Sequence, residues 1–97
     1  MNATVEAESL EIRLTSDPRW LQVLRAAVGQ VGHLAGLDPM MVDHLKLAVD
    51  EACANIIVHG YEGRRGQPII ATLALSPDRL EVRLRDFGKK EIGRAHV

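Results

Sequence analysis

Aromatic residues are almost missing from this 97-residue chain, which has one Trp, one Tyr and one Phe. Cysteine is as scarce. Cys53 is the only one, so no internal disulfide can form, and the cytoplasm is the expected compartment. His33, His44 and His59 with Cys53 match no zinc-ligand spacing. Charge of one sign is missing too: 12 Lys and Arg against 13 Asp and Glu leave a net charge of −1. That balance argues for no direct nucleic-acid partner and no anionic membrane partner. No apolar run approaches the roughly 18 residues of a membrane span. The start, MNATVEAESLE, lacks the basic and apolar segments of a secretory leader.

A globular core is affordable. Hydrophobic residues make up 46% of the chain, the ordinary level for a folded domain, and the length suits one domain. Leu10, Ile12 and Leu14 alternate with Glu11, Arg13 and Thr15, which predicts a strand. Asp17-Pro18 is a cap followed by a first-turn proline. It starts a helix with Trp20, Leu24, Ala27, Val28, Val31 and Leu34 at helical spacing, and Trp20 reads as its packing anchor. Gly36 is the expected end of that helix. Asp38-Pro39 repeats the start signal for a second helix reaching about His59, with Gly60 as a left-handed cap. His59 lies where it can interact with the last carbonyls. Residues 62–67, EGRRGQ, form a turn whose Arg64 and Arg65 are expected to be solvated. Strands are expected at residues 68–75 and 80–85, joined by the turn Ser76-Pro77-Asp78 into an antiparallel hairpin. The order β-α-α-β-β predicts an α/β class fold, a two-layer sandwich with both helices on one face of a mixed sheet.

The second helix carries the chemistry. An α-helix turns by about 100° per residue. On that wheel Asp43, Lys46, Asp50 and Ala54 form a polar stripe, opposite Val42, Leu45, Val49, Ala52 and Ile56. Glu51 and Asn55 fall on neither. They sit one turn apart on the flank of the apolar arc, so each must be hydrogen-bonded, bind something or cost free energy. Side chains at i and i+4 share a face, so a carboxylate and an amide oxygen can approach one metal–phosphate group together. Cys53, between Ala52 and Ala54, reads as a small packing residue.

Glu51, Asn55, His59, Gly60 and Tyr61 spell E-x-x-x-N-x-x-x-H-G-Y. This closely resembles the N box of the GHKL ATPases, the group that includes gyrase and the histidine kinases. The HGY ending resembles the branch of anti-sigma factor serine/threonine kinases. After the third strand, Arg85-Asp86-Phe87-Gly88-Lys89-Lys90 resembles the family's D-x-G-x-G box, with Asp86 and Gly88 matching and Lys90 in place of the second glycine. The resemblance covers residues 8–90. It implies a Bergerat-type ATP-binding fold, with ATP and Mg²⁺ as cofactors. Glu51 is then the catalytic base or water-positioning group, Asn55 the Mg²⁺ ligand, Asp86 the acceptor for the adenine amino group, and Gly88 a point of close backbone approach. The implied function is that of an ATP-binding regulatory kinase in the cytoplasm. Its partners would be an anti-anti-sigma (STAS-like) protein and/or a sigma factor, and a homodimer is compatible.

Three alternatives stand beside that reading: a partner-sequestering module that binds ATP without transferring phosphate, a sensor histidine kinase catalytic domain, and a helical interaction domain without nucleotide. The family's lid, its second glycine-rich box and later strands have no counterpart in the chain. Residues 1–90 are accordingly read as the N-terminal part of such a domain. Residues 91–97, EIGRAHV, are read as a non-native tail, because a nucleotide string encoding them resembles a sequencing adapter.

Overall fold

The computed structural model describes residues 8–77 and 79–88. Five main elements follow in order: β1 (Glu8–Thr15), α1 (Pro18–Leu34), α2 (Pro39–Asn55), β2 (Pro68–Ser76) and β3 (Arg79–Asp86). A single π-helical turn, Ile56–Gly60, extends α2. Residues 89–97, including Lys90 and the expected tail, lie outside the described residues.

Both helix starts use the same device. The Asp17 carboxylate accepts the Arg19 amide at 2.9 Å, and Asp38 accepts the Met40 amide at 2.8 Å. Each is followed by a first-turn proline, which gives up only an N–H that would be unpaired there anyway. The Asp17 carboxyl is held below the ordinary value chiefly by that backbone donor. Gly36, at φ +76°, closes α1, and Leu37 donates back to the Gly32 carbonyl at 3.1 Å.

β2 is the central strand, and β1 and β3 both pair with it antiparallel. The expected mixed sheet is thus corrected: every pairing among the described strands is antiparallel. Strand periodicity sorts the residues by face. Ile69, Ala71 and Leu73 of β2 and Val82 and Leu84 of β3 are buried, with Ile12 and Leu14 of β1 packed against them. Leu24 and Val28 of α1 and Val49, Cys53 and Ile56 of α2 and its π-turn complete the core. Both helices lie over one face, α1 against β1 and β2, and α2 against β3.

Two expectations about the helices are corrected. Trp20 is 49% exposed and is no anchor. Leu21, Leu24, Val28 and Val31 set the inward arc of α1, and Trp20 lies roughly 60° from its centre in the first turn. A ring of that size at the rim keeps much of its surface in solvent. The polar stripe of α2, a solvent-type pattern, is its solvent side only in part: Asp43 and Ala54 are exposed. Lys46 and Asp50 are half-buried against α1, where the Arg25 guanidinium meets Asp50 at 3.1 Å. α1 comes close because it carries Gly29 and Gly32. A Cβ at Gly29 would stand 2.5 Å from Lys46 Cε, and one at Gly32 2.9 Å from Val42 Cγ2.

Candidate functional site at the end of α2

With α1 covering the Lys46 and Asp50 flank, the opposite flank of α2 is open. Glu51 and Asn55 are both exposed there. Among the described residues neither side chain has a hydrogen-bond partner. Two acceptor groups one turn apart therefore face solvent together, free to take a ligand.

Asn55 is the last residue of α2, and the π-turn begins directly after it. Its wider ring is closed by the Tyr61 amide donating to the Ile56 carbonyl at 2.9 Å. π-turns insert one extra residue and are frequent at functional sites. Here the turn delivers Tyr61 into the core, where it is 1% exposed. Gly60 does not take the left-handed conformation expected of it: only Gly36, Gly63 and Gly66 among the described glycines do. Its missing Cβ matters in another way.

Asp86 ends β3 opposite Ile69 of β2. It continues the inward row of Val82 and Leu84, so its side chain lies on the helix-facing side of the sheet. A Cβ on Gly60 would stand 2.9 Å from Asp86 Oδ2. A Cβ on Gly88 would stand 2.3 Å from the Gly60 carbonyl oxygen. The end of the π-turn and the Asp86–Gly88 segment thus cross with no room for side chains between them. The Tyr61 hydroxyl joins the same two segments. It accepts the Phe87 amide at 2.6 Å and donates to the Pro68 carbonyl at 2.5 Å. Burial is the main cause of the upward shift of its pKa, with the Asp86 charge adding to it. Arg64 Nε donates to the Tyr61 carbonyl at 3.1 Å, so Arg64 braces this junction and is not simply solvated.

Glu51 and Asn55 are therefore brought to one open face, with Asp86 and Gly88 at the far end of the π-turn that continues it. An apolar cavity of about 350 Å³ occupies the other flank, between Leu21 of α1 and Val49, Cys53 and Ile57. None of the four expected site residues lines it. Among the described residues no group of three or more His, Cys, Asp or Glu could hold a metal ion unaided. Sequence reasoning missed Tyr61 as the link between the two motifs and took Gly60 for a conformational cap. The one available signal was that the only tyrosine directly follows that glycine.

Residues 14–96 match the profile of the histidine kinase-like ATPase domain. The chain belongs to that family. The family's segment thus includes α1, α2, the π-turn and the Asp86 turn. The chain is also similar to serine-protein kinases named RsbW. It is 30% identical to that of Bacillus pumilus over 90 residues, covering 91% of this chain and 54% of that protein. It is 28% identical to that of Bacillus subtilis over 82 residues, covering 84% and 51%. The Listeria monocytogenes protein is 28% identical over 94 residues, covering 89% and 60%. The chain spans little more than half the length of these curated relatives. A β-α-α-β-β order with both helices on one sheet face is consistent with the α/β architecture of this ATPase family. No helix among the described residues is long and apolar enough to cross a membrane.

Proposed function

We propose that this histidine kinase-like ATPase domain binds Mg²⁺-ATP across the open flank of α2 and serves a protein serine/threonine kinase. The observation that carries the reading is the joint placement on that flank of Glu51 and Asn55, neither of them paired among the described residues, continued by the crossing that seats Asp86. Asn55 offers a hard amide oxygen, and Mg²⁺ takes few protein ligands beside phosphate and water, so an isolated exposed amide fits the ion. When bound, Mg²⁺ would neutralise phosphate charge. Glu51 would orient or deprotonate the attacking hydroxyl, and its exposure leaves it open to a protein substrate. Asp86 would accept the adenine amino group, and Gly88 would let the main chain come close to the nucleotide. Phosphoryl transfer depends mainly on positioning and charge stabilisation, which suits so few protein groups.

The similarity to serine-protein kinases supports a serine as acceptor, and the H-G-Y ending at residues 59–61, which resembles the anti-sigma factor kinase branch, points to an anti-anti-sigma (STAS-like) protein and/or a sigma factor as partner. Titration of the full-length protein with Mg²⁺-ATP tests the reading. Binding should weaken by about tenfold or more in Asn55→Ala, as expected for a lost metal ligand. Labelled γ-phosphate should appear on the partner's serine. Absence of ATP binding by the full-length protein would overturn the reading. ATP binding without transfer would leave a partner-sequestering module in place of a kinase.

A further inference from the structure

The Tyr61 hydroxyl spends both of its bonds inside the protein, on the Phe87 amide and the Pro68 carbonyl. Neither is left for a ligand, and the side chain is buried. What it fixes is the main chain one residue beyond Asp86. Gly60, next to it in sequence, fixes the other coordinate: with no Cβ, it lets the Asp86 carboxylate settle against the π-turn. We propose that Gly60 and Tyr61 form a positioning pair for base selection, holding Asp86 where it distinguishes an adenine amino group from a guanine carbonyl.

The proposal rests on the adenine role given to Asp86 above. A carboxylate recognises an amino donor only while it is held within a few tenths of an ångström. Asp86 ends its strand, and Phe87 beyond it is 47% exposed, so the strand ladder does not hold the following turn. The Tyr61 bond to Phe87 does. The hydroxyl is also a relay: by accepting at one side and donating at the other, it ties the turn to the first residue of the central strand β2. The pair thus connects the N-box-like helix end with the Asp86 turn, so the Glu51 and Asn55 flank and the base-reading group share one rigid support. A merely structural tyrosine would stabilise the fold without setting the ratio between two nucleotides that share their phosphates.

The test compares Mg²⁺-ATP and Mg²⁺-GTP affinities in the full-length protein, with thermal melting alongside. Tyr61→Phe keeps the ring and removes both hydrogen bonds. Gly60→Ala keeps the hydroxyl and crowds the carboxylate, so it carries the test if Tyr61→Phe does not fold. Each should lower the ATP-to-GTP affinity ratio by about 3–10-fold, the range of one or two hydrogen bonds. Val28→Ala, a core change on α1, which packs against β1 and β2, should lower the melting temperature and leave the ratio within about twofold. A collapsed ratio in Asp86→Asn with an unchanged ratio in both Gly60→Ala and Tyr61→Phe would overturn the positioning pair and keep the adenine reading. A ratio that Asp86→Asn itself does not move would overturn the adenine reading.

Discussion

Two pairs of glycines sit on the two flanks of the α2 segment, and each pair makes room for something different. Gly29 and Gly32 of α1 let Lys46 and Val42 of α2 approach, so what they admit is side chain. Gly60 and Gly88 admit the Asp86 carboxylate and each other's main chain. The first flank is closed by an apolar core with one partly exposed ion pair, Arg25–Asp50. The second is closed by hydrogen bonds from a single buried hydroxyl and then opens onto Glu51 and Asn55. Packing energy grows with area and tolerates small displacements, whereas directional bonds fix a geometry. The molecule thus separates stability, concentrated on the α1 flank, from the precision that a binding site needs.

The largest expected effect breaks that comparison if it fails. On the proposed kinase reading, Glu51→Gln in the full-length protein should slow phosphoryl transfer by about 10²–10⁴-fold, the range for losing a general base. Its stability should stay within about 0.5 kcal/mol, because the side chain is exposed and has no partner among the described residues. Val49→Ala is its mirror. Val49 is 1% exposed, and its truncation should cost about 1.5–3 kcal/mol of stability with transfer otherwise retained below the melting range. Initial rates and chemical denaturation of the two variants give the answer. If Glu51→Gln destabilised as much as Val49→Ala, the open flank would be part of the core.

The next effect sharpens the difference between the glycine pairs. Gly88→Ala would place a methyl group 2.3 Å from the Gly60 carbonyl oxygen, a main-chain atom that cannot swing aside. The cost should be about 1–3 kcal/mol, with ATP affinity falling as the turn shifts. Gly29→Ala meets Lys46 Cε at a nominally similar 2.5 Å, but that is the end of a flexible side chain. The better helix propensity of Ala, worth about 1 kcal/mol, should offset the displaced lysine and leave stability nearly unchanged. Urea denaturation of both variants measures this, and a Gly29→Ala loss as large as that of Gly88→Ala would erase the distinction.

Much of the scaffold was legible in the chain. Alternation in residues 10–15 marked β1, Asp-Pro pairs marked both helix starts, and Gly36 marked a helix end because glycine readily takes the positive φ found there. The i, i+4 relation of Glu51 and Asn55 was legible for the same reason: helix geometry is local. What was not legible depends on neighbours. A helical wheel sorts residues by chemistry, so Lys46 and Asp50 read as solvent-facing until Arg25 and Gly29 of another helix approached them. Trp20 read as core because size and polarity do not reveal the rim of an arc. The π-turn left no periodic signal, since one extra residue merely shifts the wheel. Gly60 illustrates the limit best: its missing Cβ leaves space for a carboxylate 26 residues away in sequence, and a local reading assigns it to backbone conformation instead.

The smallest effect at neutral pH appears only on raising it. Burial, reinforced by the nearby Asp50 charge, pushes the Cys53 thiol up from 9.0 to about 11. An acid whose folded pKa exceeds its unfolded one holds its proton longer in the native state. Its contribution is then complete below pH 9 and is lost as the pH rises toward about 11. Tyr61, also shifted upward by burial, acts in the same direction at higher pH. Stability measured by urea denaturation should therefore decline across that alkaline window. Cys53→Ala should flatten the part that begins near pH 9, and Tyr61→Phe should leave that part unchanged. At pH 8 the native thiol should react with a disulfide reagent far more slowly than the denatured chain, because thiolate and access are both scarce. Rapid native-state labelling would mean that the cavity beside Cys53 opens, and that the α1 flank is less closed than the Asp86 junction.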